Sequence, residues 1–138
     1  MTATVPSLLY LVKQLELSVR ARLTDLVRPA GITALQYTAL TVLERHDGLS
    51  TAQLARNSFV TAQAMADMVA ALEARGLIRR ERNPGNRREM LIYLTVQGTT
   101  RLKELAEPVR RLEEEMTRDL DAARFRQSLG AAWKALSR

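Results

Sequence analysis

The chain has no cysteine and a single histidine, His46, among its 138 residues. The first absence excludes disulfides, thiolate metal sites and any thiol-based oxidation switch within the chain. The second leaves no multi-histidine metal site in one subunit and no nucleophile–base pair, so neither an enzyme nor a bound cofactor is expected. No run of about twenty uninterrupted apolar residues occurs, which argues against a transmembrane helix. The opening Met1-Thr-Ala-Thr-Val-Pro6 lacks the basic and apolar regions of a secretory signal. The expectation is a cytoplasmic protein with no membrane partner. Glycine-rich phosphate loops, internal repeats, low-complexity tracts and long linkers are also missing. The acidic run Glu113-Glu114-Glu115 reads as a solvated helix face.

What is present is positive charge. Twenty-one basic residues stand against fifteen acidic ones, for a net charge of +6. Such a balance favours an anionic partner, nucleic acid or an acidic membrane surface. Eighteen of the basic residues are arginine, and where they sit carries more information than their total.

Along the chain, Leu8, Leu11, Val12, Leu15, Val19, Leu23 and Leu26 recur at spacings of three and four. That spacing predicts a helix from Ser7 to about Arg28, capped by Ser7 and ended by Pro29 and Gly31. Thr33 and Gln36 form a capping-box pattern that starts a second helix, which runs to about Arg45. His46-Asp47-Gly48 then supplies a turn, with His46 at the helix end. Ser50 and Gln53 repeat the capping box and open a short helix, Ser50–Arg56. A longer helix follows at about Thr61–Arg75, with Val60, Ala64, Met65, Met68, Val69 and Leu72 inward and Thr61, Ala62, Gln63, Ala66 and Asp67 outward. Gly76 stands where a helix takes its left-handed cap.

The next stretch, Leu77 to Leu94, reads as a two-stranded ribbon turning at Asn83-Pro84-Gly85-Asn86. It carries Arg79, Arg80, Arg82, Arg87 and Arg88 against two glutamates. Arginine suits phosphate and narrow minor grooves better than lysine does. Beyond it, Thr95 caps the longest helix, in which Leu102, Leu105, Val109, Leu112 and Met116 trace a 3-4-3-4 seam interrupted by Pro108. Asp121 opens a last helix striped by Phe125, Leu129, Trp133 and Leu136. Apolar seams at both ends of a chain are most simply satisfied by a helical dimer interface, with a monomeric bundle as the alternative.

Together these readings predict a mainly α fold with a small β-hairpin wing. A winged helix-turn-helix DNA-binding lobe at about 32–95, with its wing at about 78–94, is flanked by dimerisation helices at about 7–28 and 96–138 of one 1–138 domain. Thr61, Gln63 and Asp67 are placed to read bases in the major groove. Ser50, Thr51 and Gln53 are placed to touch phosphates. Arg82, Arg87 and Arg88 are expected to engage the backbone or minor groove.

The same residues resemble the MarR family of bacterial winged-helix regulators over nearly the whole chain. The matching segments are Gly31-Ile-Thr-Ala-Leu-Gln36, Leu49-Ser-Thr-Ala-Gln-Leu-Ala55, Leu72-Glu-Ala-Arg-Gly-Leu-Ile-Arg-Arg80, Asn86-Arg-Arg88 and Leu94-Thr-Val-Gln-Gly98. The resemblance implies a homodimer built by the first and last helices and bound to a pseudo-palindromic site on double-stranded DNA. It also implies repression relieved by a small, often aromatic and anionic ligand between the dimer-forming helices and each lobe, for which Tyr10, Lys13, Tyr37 and Arg101 are the candidate contacts. Three positions depart from the family pattern. Asn86 replaces the aspartate of the usual wing Asp-x-Arg, Asp67 stands where a basic residue is common, and Ala70-Ala71 replaces an Asp-Arg pair. A winged-helix module that docks on protein, and an architectural binder without sequence preference, are the rival readings.

Overall fold

The structure is a computed structural model and describes residues 4–137. Residues 1–3, which open the segment read for a signal sequence, and residue 138 lie outside the described residues. In chain order the elements are α1 (Leu8–Val27), a 3-10 turn (Arg28–Ala30), α2 (Ala34–Arg45), β1 (Leu49–Ser50), α3 (Thr51–Asn57), α4 (Ala62–Ala74), β2 (Ile78–Asn83), β3 (Asn86–Leu94), α5 (Val96–Met116) and α6 (Ala122–Leu136). The described residues fall into two compact units, one through Ala106 and the other from Glu107.

Local chemistry sets the boundaries. The Ser7 hydroxyl accepts from the Tyr10 N–H, Thr61 accepts from Ala64 and Asp121 from Arg124, each satisfying a donor that the helix itself leaves open. Thr33 with Gln36 and Ser50 with Gln53 form full reciprocal capping boxes. The helix α4 ends at Ala74 with Arg75 as its C-cap, and Gly76 takes a φ of 75°, the left-handed geometry expected there. No helix among the described residues is long and apolar enough to cross a membrane.

The sheet has three antiparallel strands in the order β1-β3-β2, not the two of the expected ribbon. Leu49 pairs with Ile92 and Ser50 with Leu91. A two-residue strand has no periodicity to betray it. Ser50 serves as both strand residue and helix cap, and only the second role leaves a mark in sequence. The pairing of β2 with β3 runs from Ile78 opposite Leu94 to Arg82 opposite Met90, then shifts register between Arg82 and Asn83 to close the turn.

The core of the first unit is built from Leu40 and Leu43 of α2, Leu54 of α3, Met65, Val69 and Leu72 of α4, and Leu77, Ile78 and Ile92 of the sheet region. Truncating any of the fully buried leucines to alanine costs about 2–5 kcal/mol. Leu102 and Leu105 also belong to this core. The first two positions of the seam read as a partner-chain contact therefore pack within their own lobe. Close approach makes that possible: a Cβ on Gly98 would lie 2.2 Å from the Leu77 carbonyl oxygen, so only glycine fits where α5 leaves the sheet.

The opposite holds for α1. Only Val27 is fully buried, whereas Leu8, Leu9 and Val12 are more than half exposed. In the second unit Arg110 pairs with Glu107 and Glu114, and Arg126 approaches Glu113 at 3.9 Å. The helix α5 continues through Pro108 to Met116. Phe125 is half-buried, and Leu129, Trp133 and Leu136 are exposed along α6.

Candidate nucleic-acid interface

The turn from α3 to α4 brings the start of α4 to the surface. Met65, Val69 and Leu72 are buried beneath it, with Val60 and Met68 packed against the core. Thr61, Ala62, Gln63, Ala66 and Asp67 are all exposed, as the spacing predicts. Ala64 is exposed too, not inward as the periodicity has it. The resulting outer face is small, hydrogen-bonding and slightly acidic, without a bulky side chain to keep it out of a groove.

The three residues expected at phosphates from α3 are placed differently from one another. Ser50 is only 3% exposed, and its Oγ accepts from the Gln53 N–H at 3.2 Å. This hydroxyl is buried and holds the helix start, so its part in a phosphate contact is an indirect one on the proposed reading. Gln53 is exposed, but its Oε1 accepts from the Ser50 N–H at 3.0 Å, leaving its amide NH₂ to face outward. Thr51 is half-buried beside them.

Within the wing the five arginines divide. Arg79 pairs with Glu81 and lies 4.6 Å from the centre of the Tyr93 ring, its cross-strand partner. Arg80 donates to Glu73 of α4 at 2.7 Å. Arg82 reaches across the ribbon and donates to the Arg87 carbonyl at 2.6 Å. Among the described residues, the exposed guanidinium groups of Arg87 and Arg88 have no hydrogen bond or ion pair within the chain. The two cations free to meet an anion are therefore those of the tip, on the first residues of β3.

The tip is held by amides. Asn83 Oδ1 accepts from the Gly85 N–H at 2.9 Å, its Nδ2 donates to Glu89 at 2.8 Å, and Asn86 Oδ1 accepts from the Arg88 N–H at 3.1 Å. Asn86 thus binds the main chain of Arg88 and not its side chain, and the Arg88 guanidinium stays unengaged.

Further contacts fix the wing against α4. Glu73 and Arg80 join the two elements directly. The Arg80 hydrogen bond holds the Glu73 carboxyl below its usual range, and the same bond raises the arginine. Asp47 Oδ1 accepts from the Leu94 N–H at 3.0 Å, and Thr95 Oγ1 donates to the Gly76 carbonyl at 2.6 Å. From the C-terminal end of α4, Arg75 donates to the Gly31 and Ala30 carbonyls. Sequence reasoning missed this brace, because a cation next to two main-chain carbonyls in a distant turn has no local signature.

Neither of two surface clefts is lined by more than one of the four ligand candidates. Tyr10 and Lys13 are exposed on α1, Tyr37 packs half-buried against the core, and Arg101 lies 3.8 Å from Glu104. Arg101 lines a cleft of about 250 Å³ with Arg75, Gln97 and Thr100. A second cleft, of about 470 Å³ between the end of α2 and the start of α5, contains none of the four.

With this geometry in place, likeness to known proteins becomes informative. A MarR family model matches residues 30–89. An HTH-type transcriptional repressor of Mycobacterium tuberculosis is 29% identical over 118 residues, covering 86% of this chain and 85% of that protein. A cysteine-to-serine mutant of Escherichia coli MarR, solved in complex with operator DNA, superposes with a TM-score of 0.80 at 23% identity over 93% of this chain and 92% of that one. The PcaV transcriptional regulator of Streptomyces coelicolor, solved with its natural ligand, gives a TM-score of 0.76 at 21% identity over 98% of this chain and 96% of that one. The fold is thus that of MarR winged-helix proteins.

Proposed function

We propose that this chain, which a MarR family model matches over residues 30–89, is a homodimeric repressor of a pseudo-palindromic operator. The observation that carries the reading is the pairing of an α4 surface free of bulky side chains with a ribbon tip on which the guanidinium groups of Arg87 and Arg88 have no partner among the described residues. Gln63 reads a base, adenine being the one whose N6 and N7 match its amide. Thr61 and Asp67 flank it, and an aspartate there accepts from a cytosine amino group. Arg87 and Arg88 neutralise phosphates or enter the minor groove, with Thr51 and the Gln53 amide at the backbone and Arg82 as the staple behind them.

Dimer formation draws on the exposed apolar residues of α1 and α6. Leu8, Leu9 and Val12 on one helix, and Trp133 and Leu136 on the other, are apolar surface that a second copy would remove from water. Two lobes on a two-fold axis would then meet two half-sites. Release by a small aromatic anion is the regulatory part of the proposal. It requires a ligand with different affinity for dimers whose recognition helices are differently spaced. Tyr10, Lys13, Tyr37 and Arg101 are its proposed contacts.

A mobility-shift titration on the DNA upstream of the coding region, repeated across salt concentrations, tests the reading. A repressor forms a salt-sensitive complex that prefers one sequence. An architectural binder shows the salt dependence alone, and a protein-docking module shows neither. Thermal-shift screening with aromatic acids, followed by DNA release, tests the ligand; no release by any stabilising compound would count against it.

A further inference from the structure

Phe59 lies in the turn between α3 and α4 with a φ of 64°, the one positive φ outside glycine among the described residues. A bulky side chain in the left-handed region crowds its own backbone, where glycine or asparagine would fit. Burial does not offset this, because the residue is 82% exposed. Next to it Ser58 is buried, and its hydroxyl is the one buried side-chain polar atom among the described residues without a hydrogen-bond partner. A strained backbone presenting a large apolar ring to solvent is a poor choice for folding alone, which points to a use outside the chain.

Its position says where. Thr61, two residues on, caps α4, and Thr61, Ala62 and Gln63 are exposed at that end. The ring therefore leaves the fold beside the end of α4 that the DNA-binding reading places in the groove. We infer that Phe59 is an apolar DNA contact, packing on thymine 5-methyl groups or deoxyribose faces at the groove edge. This rests on the DNA-binding reading above. It adds an uncharged contact beside a helix whose neighbouring outward residues, Ala62 and Ala66, are small.

Phe59→Gly and Phe59→Asn are suitable variants because both residues suit the left-handed geometry, so loss of folding does not confound the result. Relief of strain raises the thermal midpoint by about 2–4 °C. Affinity for a selected duplex falls by about fivefold, and the salt slope is unchanged because every phosphate partner is retained. Repeating the titration with deoxyuridine in place of thymine separates the two surfaces: the difference between wild type and variant disappears if the ring touches methyl groups and persists if it touches sugar. Variants that bind as tightly as wild type overturn the inference. So does a change in oligomeric mass without loss of affinity, which would make the ring a protein contact. Should Arg88→Ala weaken binding while the Phe59 variants do not, only this inference fails. Should the wild type form no salt-sensitive, sequence-preferring complex, the DNA-binding reading fails and this one with it.

Discussion

The outward face of α4 and the tip of the wing lie in the same compact unit, yet they offer opposite chemistry. On α4 the exposed residues near its start are threonine, alanine, glutamine and aspartate, and no cation is among them. At the wing tip two adjacent arginines stand free on a ribbon whose other three arginines are engaged by Glu81, Glu73 and the Arg87 carbonyl. Phosphate attraction depends on charge and is blind to sequence, while base reading depends on hydrogen-bond pattern and needs little charge. On the proposed DNA-binding reading, the difference separates two jobs that many DNA-binding helices combine: affinity would belong mainly to the wing, and discrimination to α4. The contacts between Glu73 and Arg80 and between Thr95 and Gly76 join the base of the ribbon to α4.

Removing the charge at the tip should have the largest effect. Arg87→Ala/Arg88→Ala is expected to weaken binding to every sequence by roughly tenfold or more, and to lower the salt slope by about 0.9 for each phosphate no longer neutralised. Affinities measured at several salt concentrations check both. Gln63→Ala should do something different. It should remove about 1–3 kcal/mol of discrimination at one base position and leave the salt slope intact, as read from binding to a set of single-base operator variants.

Two smaller effects test how the surfaces are held. Ser50→Ala should lower unfolding free energy by about 1 kcal/mol through removal of the cap, without changing the salt slope. A lowered slope with unchanged stability would return Ser50 to the phosphate-binding residues. Last is the Glu73–Arg80 pair. Because the folded Glu73 carboxyl is held below its usual 4.5, the pair contributes fully above that pH, and the contribution is lost as the pH falls through the lowered value. Exposure of both side chains keeps the effect small. Denaturation of Glu73→Gln between pH 3 and 7 should show a shallower acid limb than wild type, within the range of a surface pair.

The fold was largely legible because its punctuation is local. Capping boxes at Thr33–Gln36 and Ser50–Gln53, the left-handed Gly76 and the Asn83–Asn86 turn each need only neighbours in sequence, and each stands where the pattern puts it. Features that depend on distant partners were not legible. The strand β1 exists only through Ile92 and Leu91, and Leu102 and Leu105 look like any coiled-coil seam until the lobe core closes over them.

The candidate site was legible as a set of residue types, less so as a set of available groups. Five wing arginines look equivalent in sequence; which are free depends on where Glu73, Glu81, Tyr93 and the Arg87 carbonyl end up. Ser50 was assigned a phosphate because a helix start often meets one, but its hydroxyl is buried and caps α3. The backbone of Phe59 left no trace in its residue type, since left-handed geometry is something a sequence reader looks for at glycine and asparagine.

The division of labour between α4 and the wing is tested most directly by selecting duplexes from a random pool with wild type and Arg87→Ala/Arg88→Ala side by side. The expected result is one pseudo-palindromic consensus recovered by both, with the variant requiring lower salt to retain it. A wild type that recovers no consensus, or a variant that recovers a different one, would contradict it.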